Sequence, residues 1–255
     1  MKSVFGTFGP GTTALVLAAV MMATWRIGFV IGRRDRARGA PKPEGKFDEA
    51  VIAILGLLLA FSFSMALAKY DHRREMVVED SNTIGDFYTC ASLLKEPVRS
   101  ELVGVIREYT ELRLDLARRA QSFADVEREL QRIQNLQSRM TVLVGEALAS
   151  GTPIASPLTN TLNDLTSAHA ARLAALRDQL PRSVVLLLFV AAAITTWLVG
   201  GAQGISERPP LGGTLSFFLL VALVVYVILD LNDPTKGLIT VSQEPMRLVL
   251  ESMGK

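Results

Sequence analysis

Apolar residues along this chain gather into four long runs, and a polar stretch with a helical repeat separates the second run from the third. The runs are Thr12 to Ile31, Val51 to Ala68, Ser183 to Gly201 and Leu211 to Leu229. Crossing a hydrocarbon layer of about 30 Å takes roughly 20 helical residues, and each run meets that length. Arg26 is the only charge within them, close enough to the basic end of its run to reach the headgroups. The pattern predicts an all-α membrane protein: four transmembrane helices with a helical soluble domain between the second and third. The expected boundaries are 1–31 for the first helix, 32–50 for a basic loop, 51–69 for the second helix and 70–182 for the soluble domain. The third helix takes 183–204, the fourth 211–229, and 230–255 forms a C-terminal tail.

The stretch from Lys69 to Arg182 repeats apolar residues at spacings of three and four, which places them on one helical face. Three stripes emerge. The first is Leu102, Ile106, Tyr109, Leu112 and Leu116. The second is Phe123, Val126, Leu130, Ile133, Met140 and Val144. The third is Leu158, Leu162, Leu165, Leu173, Leu176 and Leu180. Pro97 opens a helix, Ser122 with Asp125 makes a capping box, and Ser150-Gly151-Thr152-Pro153 is a loop. Ser156 and Pro157 read as N-cap and first helical residue, and Pro181 marks the return to the membrane. The second membrane helix continues past Tyr70 as one rod, with no breaker before Gly85.

The hydrophobic share of 49% is ordinary for a globular protein, so the clustering carries the membrane reading. The formal net charge is +2, and the central region holds 15 Lys and Arg against 16 Asp and Glu, which argues against a nucleic-acid partner. The first run is read as a retained helix and not a cleaved signal, because the strong basic cluster follows it. The loop after it carries Arg33, Arg34, Arg36, Arg38, Lys42 and Lys46, with an exposed turn at Ala40-Pro41-Lys42-Pro43. Short basic loops stay in the cytoplasm, which puts both termini and the central domain on the far side of a cell (inner) membrane. Trp25, Tyr70 and Trp197 lie toward run ends, where aromatic rings anchor at the interface.

Candidate chemistry is sparse. Cys90 is single and reads as a half-buried helix residue. His72 and His169 are the only histidines, and His169 falls on the third stripe as a hydrogen-bonded core residue. No metal, cofactor or phosphate-loop motif occurs, and the chain is not expected to be an enzyme. Gly200-Gly201-Ala202-Gln203-Gly204 lacks the loop lysine and reads as a turn. Two charged groups stand out: Tyr70, Arg73, Arg74, Glu75, Glu79 and Asp80 after the second helix, and Asp230, Asp233, Pro234 and Gly237 after the fourth. A four-pass topology places both at one membrane surface, either as anchors with local ion pairs or as charge around a pore mouth.

These residues also carry a resemblance. Tyr70-Asp71-His72-Arg73-Arg74, Val77-Val78-Glu79, Ile84-Gly85 to Tyr88, Leu93-Leu94, Pro97, Arg107-Glu108-Tyr109 and Leu180-Pro181 follow in order. Asp230-Leu231-Asn232-Asp233-Pro234, Gly237, Val241-Ser242 and Pro245 close the set. Over residues 48 to 253 the chain resembles the bacterial bestrophin-like family, a domain of unknown function. It departs at Asn232, where the family usually has an acid. The resemblance implies likeness to bestrophins, which are pentameric anion channels with a cytoplasmic helical region, the opposite sidedness to the loop-charge reading. The leading expectation is therefore a homo-oligomeric channel in a lipid bilayer, passing small ions beside Ser62, Ser64, Thr195 and Thr196. The alternative is a non-conducting scaffold or sensor whose helical domain binds a protein partner.

Overall fold

In the computed structural model the described residues are 9–39, 46–119, 123–206, 211–234 and 237–254. They form eight helices and, among the described residues, no strand. In chain order these are α1 (Pro10–Ala37), α2 (Lys46–Ser92), α3 (Val98–Arg119), α4 (Phe123–Ala149), α5 (Ala155–Arg177), α6 (Arg182–Ile205), α7 (Leu211–Asn232) and α8 (Glu244–Ser252). Four helical stretches are long and apolar enough to cross a membrane: α1, α2, the stretch that ends in α6, and α7. The expected turn at Ala40-Pro41-Lys42-Pro43 and the Ser122 end of the capping box lie outside the described residues.

The chain divides into two compact units. The first comprises Met1–Tyr70 and Gln179–Thr240 and contains the four apolar runs. Its core is Leu17 and Met21 of α1, Leu55 and Leu59 of α2, Leu188 and Ala192 of α6, and Phe218, Val221, Val225 and Ile228 of α7. The α1–α6 crossing is built on glycine. A Cβ on Gly28 would stand 2.0 Å from the Trp197 carbonyl oxygen, and one on Gly32 the same distance from that of Gly201. From the other side, a Cβ on Gly200 would meet the Trp25 oxygen at 2.2 Å and one on Gly204 the Phe29 oxygen at 2.3 Å. Two helices thus meet backbone to backbone through a small-xxx-small pair on each, the membrane solution when apolar burial gives no drive. The Gly200–Gly204 segment is therefore helix, not the turn expected from its composition: spaced four apart, its outer glycines line one face. Hydrogen bonds reinforce the crossing, from Trp25 Nε1 to Gln203 Oε1 (3.0 Å) and between the Thr24 and Thr196 hydroxyls (2.7 Å).

The second unit comprises Asp71–Asp178 and Val241–Lys255. The α3 stripe is buried at Leu102, Ile106, Tyr109 and Leu112, and the α4 stripe at Ile133, Met140 and Val144. Met246 and Met253 join this core, so the end of the chain is a packed element and not a trailing tail. Gly151 ends α4 with φ +76, where it and Thr152 donate back to the Leu148 and Ala147 carbonyls. Two boundaries depart from expectation. Helix α5 begins at Ala155 behind Ile154, so Ser156 and Pro157 lie inside its first turn, where proline costs no hydrogen bond. Helix α2 runs through Gly85 to Ser92, because that glycine faces open space and the helix on either side of it is packed.

Candidate functional site

Helix α2 carries one buried stripe along its length: Leu55, Leu59, Ser62 and Ala66, then Arg73, Val77, Asp80, Ile84, Phe87 and Ala91. Spacings of three, four and, from Ala66 to Arg73, seven keep all of these on one face. The stripe brings Asp80, which is fully buried, into the core of the second unit. There Oδ2 of Asp80 accepts from Arg172 of α5 at 2.7 Å and also from Arg113 of α3. Both arginines are buried as well. Arg172 passes on to Gln243 Oε1 at 2.6 Å, and Gln243 donates to the Val241 carbonyl at 3.1 Å.

The fourth member is His169 of α5, whose Nδ1 faces the Arg113 guanidinium. Arginine has only donors, so Nδ1 must accept and the ring proton must sit on Nε2. Burial, then the Arg113 charge, holds His169 down at about 4, so it is neutral at physiological pH. The Arg113 guanidinium also lies 5.7 Å from the Tyr109 ring centre, and the His169 ring meets Tyr109 edge-on at 6.4 Å. Burial pushes the Tyr109 phenol up to about 12. Its hydroxyl is set against Gln137 of α4 without a hydrogen bond of ordinary geometry. One carboxylate thus answers two guanidinium groups, and its second oxygen, Oδ1, has no hydrogen-bond partner among the described residues.

The α5 stripe explains why these charges are inside. Leu158, Leu162 and Leu165 are buried as expected, but the face continues through Ala168, His169, Arg172 and Ala175. Leu176 is exposed, Leu173 half-buried, and Leu180 packs instead in the first unit. The leucine pattern thus gives way to a polar one midway along the helix.

The charged groups expected at the membrane surface take varied positions. Tyr70 is half-buried at the edge of the first unit's core, Arg73 is buried, and Arg74, Glu75 and Glu79 are exposed. Asp230 is buried and accepts the backbone N–H groups of Leu238 (2.9 Å) and Ile239 (2.8 Å). Gly237 lies so close that a Cβ there would stand 2.9 Å from the Asp230 carbonyl oxygen. Asp233 and Pro234 are half-buried. This second group is a tied loop with its carboxylate turned to backbone amides. Asn232 Oδ1 accepts the Leu180 N–H at 2.7 Å, a contact that a carboxylate oxygen also makes. Of the hydroxyls expected beside an ion path, Ser62, Thr195 and Thr196 are buried, and both threonines bond their own helix; only Ser64 faces outward. Among the described residues no group of His, Cys, Asp and Glu could hold a metal ion.

The exposed face of α2, opposite its buried stripe, is continuous. It presents Leu57, Ser64 and Ala68 and then Asp71, Glu75, Asn82 and Asp86, with Glu79 at its margin. No Lys or Arg shares this face between Asp71 and Thr89; Arg74 and His72 flank it, His72 Nδ1 lying 4.0 Å from Glu75. A shallow groove of about 740 Å³ runs along it past Asp71, Arg74, Glu75, Glu79 and Asn82, so one cation lines it beside the acids.

Comparison with known proteins bears on the whole chain. The chain is similar to a crystal structure of a bacterial bestrophin homologue from Klebsiella pneumoniae carrying one mutation, at 12% identity and a TM-score of 0.67, over 96% of this chain and 98% of that one. A structure described as a membrane protein aligns with a TM-score of 0.62 and 14% identity, over 96% and 98% of the two chains. At these identities the likeness shows the fold alone. No curated protein matches. The Bestrophin-like domain model matches residues 14–246, nearly the whole chain, so this membrane protein belongs to the Bestrophin-like family.

Proposed function

We propose that the chain is a four-pass protein of the inner membrane that assembles with copies of itself into an ion channel, with α2 of each copy facing the path. The observation that carries this reading is the one-sided burial of α2. At 1.5 Å per residue its 47 residues extend about 70 Å, over twice the hydrocarbon thickness. One face is packed throughout and the opposite face is uncovered throughout. A ring of copies supplies the cover that one chain lacks.

The charge on that face sets the ion. Asp71, Glu75 and Asp86, with Glu79 beside them, form a stripe that stays net negative with Arg74 at its edge. Repeated around an axis, fixed negative charge concentrates cations and depletes anions. The family resemblance implies anions; the α2 stripe favours cations. Purified protein in planar bilayers under a salt gradient decides between them. The expected outcome is a reversal potential on the cation side, moving toward zero in the Asp71→Asn, Glu75→Gln, Asp86→Asn triple variant. Silence across several salts sinks the channel reading.

In this reading the second unit sits in water between the second and third spans. The basic loop 32–50 supports an exported unit, whereas the family resemblance supports a cytoplasmic one. Arg36→Cys and Gln134→Cys, made with Cys90→Ala, should label with an impermeant thiol reagent from opposite faces. A second reading, a non-conducting scaffold, draws on the exposed Val142, Leu148 and Leu176 of the second unit. A closed, dry oligomer axis would favour it.

A further inference from the structure

We infer that Asp80, Arg113, His169 and Arg172 form an acid-released latch that holds the α2 segment from Asp71 onward against α3 and α5. The four residues come from three helices of one compact unit, and the latch has a defined weak point. Arg113 donates in two directions, to Asp80 of α2 and to Nδ1 of His169. The second bond exists only while the imidazole is neutral.

A proton added to Nδ1 turns an acceptor into a donor facing a donor. It also adds a third cation to a buried group that contains one carboxylate. The groups facing His169 offer no relief. From α3 they are Arg113 and Tyr109, from α5 Arg172, and from α2 Asp80, whose Oδ2 already serves both arginines. Gln137 of α4 stands against Tyr109, and Gln243, ahead of α8, is taken by Arg172. A charged His169 is therefore accommodated by separation. Because Arg113 is shared, separation loosens Asp80 and the helix that carries it.

The direction follows from linkage. In the closed state His169 is held at about 4, and a released, hydrated imidazole returns to about 6.5. Between these values the released state binds more protons, so falling pH favours it, by up to about tenfold per unit. Above the window the latch is closed, and below it the gain saturates at roughly two orders of magnitude.

The inference needs no conduction, so its test reads structure directly and stands apart from the channel reading. Hydrogen exchange of the reconstituted full-length protein, expressed as protection factors, is followed over residues 71–92 from about pH 7.5 to about pH 4.5. Protection should fall by tenfold or more in the wild type and in His72→Asn, which alters the other, exposed histidine. His169→Asn keeps an acceptor near the Nδ1 position and cannot gain a charge, so its protection should stay flat. Equal protection at both ends in the wild type, or the same fall in His169→Asn, overturns the latch. If His169→Asn does not fold, ring-nitrogen NMR of wild-type histidines gives the answer. A His169 that is neutral with its proton on Nε2 at about pH 7.5, and gains its charge over the same pH range in which residues 71–92 lose protection, upholds the latch; one that gains its charge with no change in that protection refutes it.

Discussion

The two units of this protein solve the same problem of joining helices by opposite means. In the first, α1 and α6 meet where side chains are missing, so that Gly28, Gly32, Gly200 and Gly204 bring backbone against backbone. In the second, α2, α3 and α5 meet where side chains are long and charged, through Asp80, Arg113 and Arg172. Lipid gives apolar surfaces no reason to leave it, so close packing and dispersion are what remain for α1 and α6. In the polar unit apolar burial already supplies the drive, and the ionic group adds a fixed geometry at the expense of desolvation. The glycine joint tolerates no added atom; the charged joint tolerates no missing one.

The largest effect expected is at the charged joint. Asp80→Asn leaves two buried guanidinium groups without their counter-ion, a loss of about 3–5 kcal/mol. Thermal unfolding of the detergent-solubilised protein should show this as collapse of the second unit's transition. A change within the scatter of surface variants would mean that water already solvates the arginines or that a bound anion neutralises them.

Next comes the glycine joint. Gly28→Leu places a branched side chain where a Cβ alone would overlap the Trp197 oxygen, and overpacking of this kind costs about 1–3 kcal/mol. Denaturant titration should show the loss, while Gly56→Ala, where a Cβ meets nothing within 4 Å, serves as the unchanged control. Should both variants unfold alike, the α1–α6 crossing is not set by glycine.

Much of this is legible in the sequence, and the misses have physical causes. The four apolar runs, the α3 and α4 stripes and the burial of His169 follow from spacing alone. The charged joint does not, because a charge in a polar stretch is most often solvated. Its signal is nonetheless there: Asp80 extends the stripe of Val77 and Ile84, Arg113 follows Ile106 and Tyr109, and Arg172 follows Leu165 and Ala168. Opposite charges on the buried faces of different helices are the pattern to search for. The glycine joint is hidden for another reason. Glycine breaks helices in water, and that rule makes Gly200–Gly204 a turn, whereas the four-residue spacing at the end of an apolar run obeys the membrane rule.

A smaller effect tests the loop after α7. Asp230→Ala removes the acceptor of the Leu238 and Ile239 N–H groups, and leaving such donors unsatisfied costs about 1–3 kcal/mol, less where water enters. Leu238 is largely exposed, which puts the expected loss at the lower end. Accelerated exchange confined to these two amides is the readout, and protection equal to wild type would remove Asp230 from this role.

The smallest effect is the most discriminating about the family pattern. Asn232 uses its side-chain oxygen to accept the Leu180 N–H, at the point where the chain enters the third apolar run. An aspartate in its place would offer the same oxygen with a charge, so Asn232→Asp should change stability by less than about 0.5 kcal/mol, the range of substitutions that disturb no packed feature. Asn232→Leu is close in size and removes the acceptor, leaving the Leu180 amide unpaired at about 1 kcal/mol or more. If the aspartate variant matches the wild type and the leucine variant does not, the acid usual at this position serves as an acceptor, and asparagine keeps that role. If the aspartate variant instead gains stability only when a divalent cation is added, the acid's role is charge, and this chain has lost it.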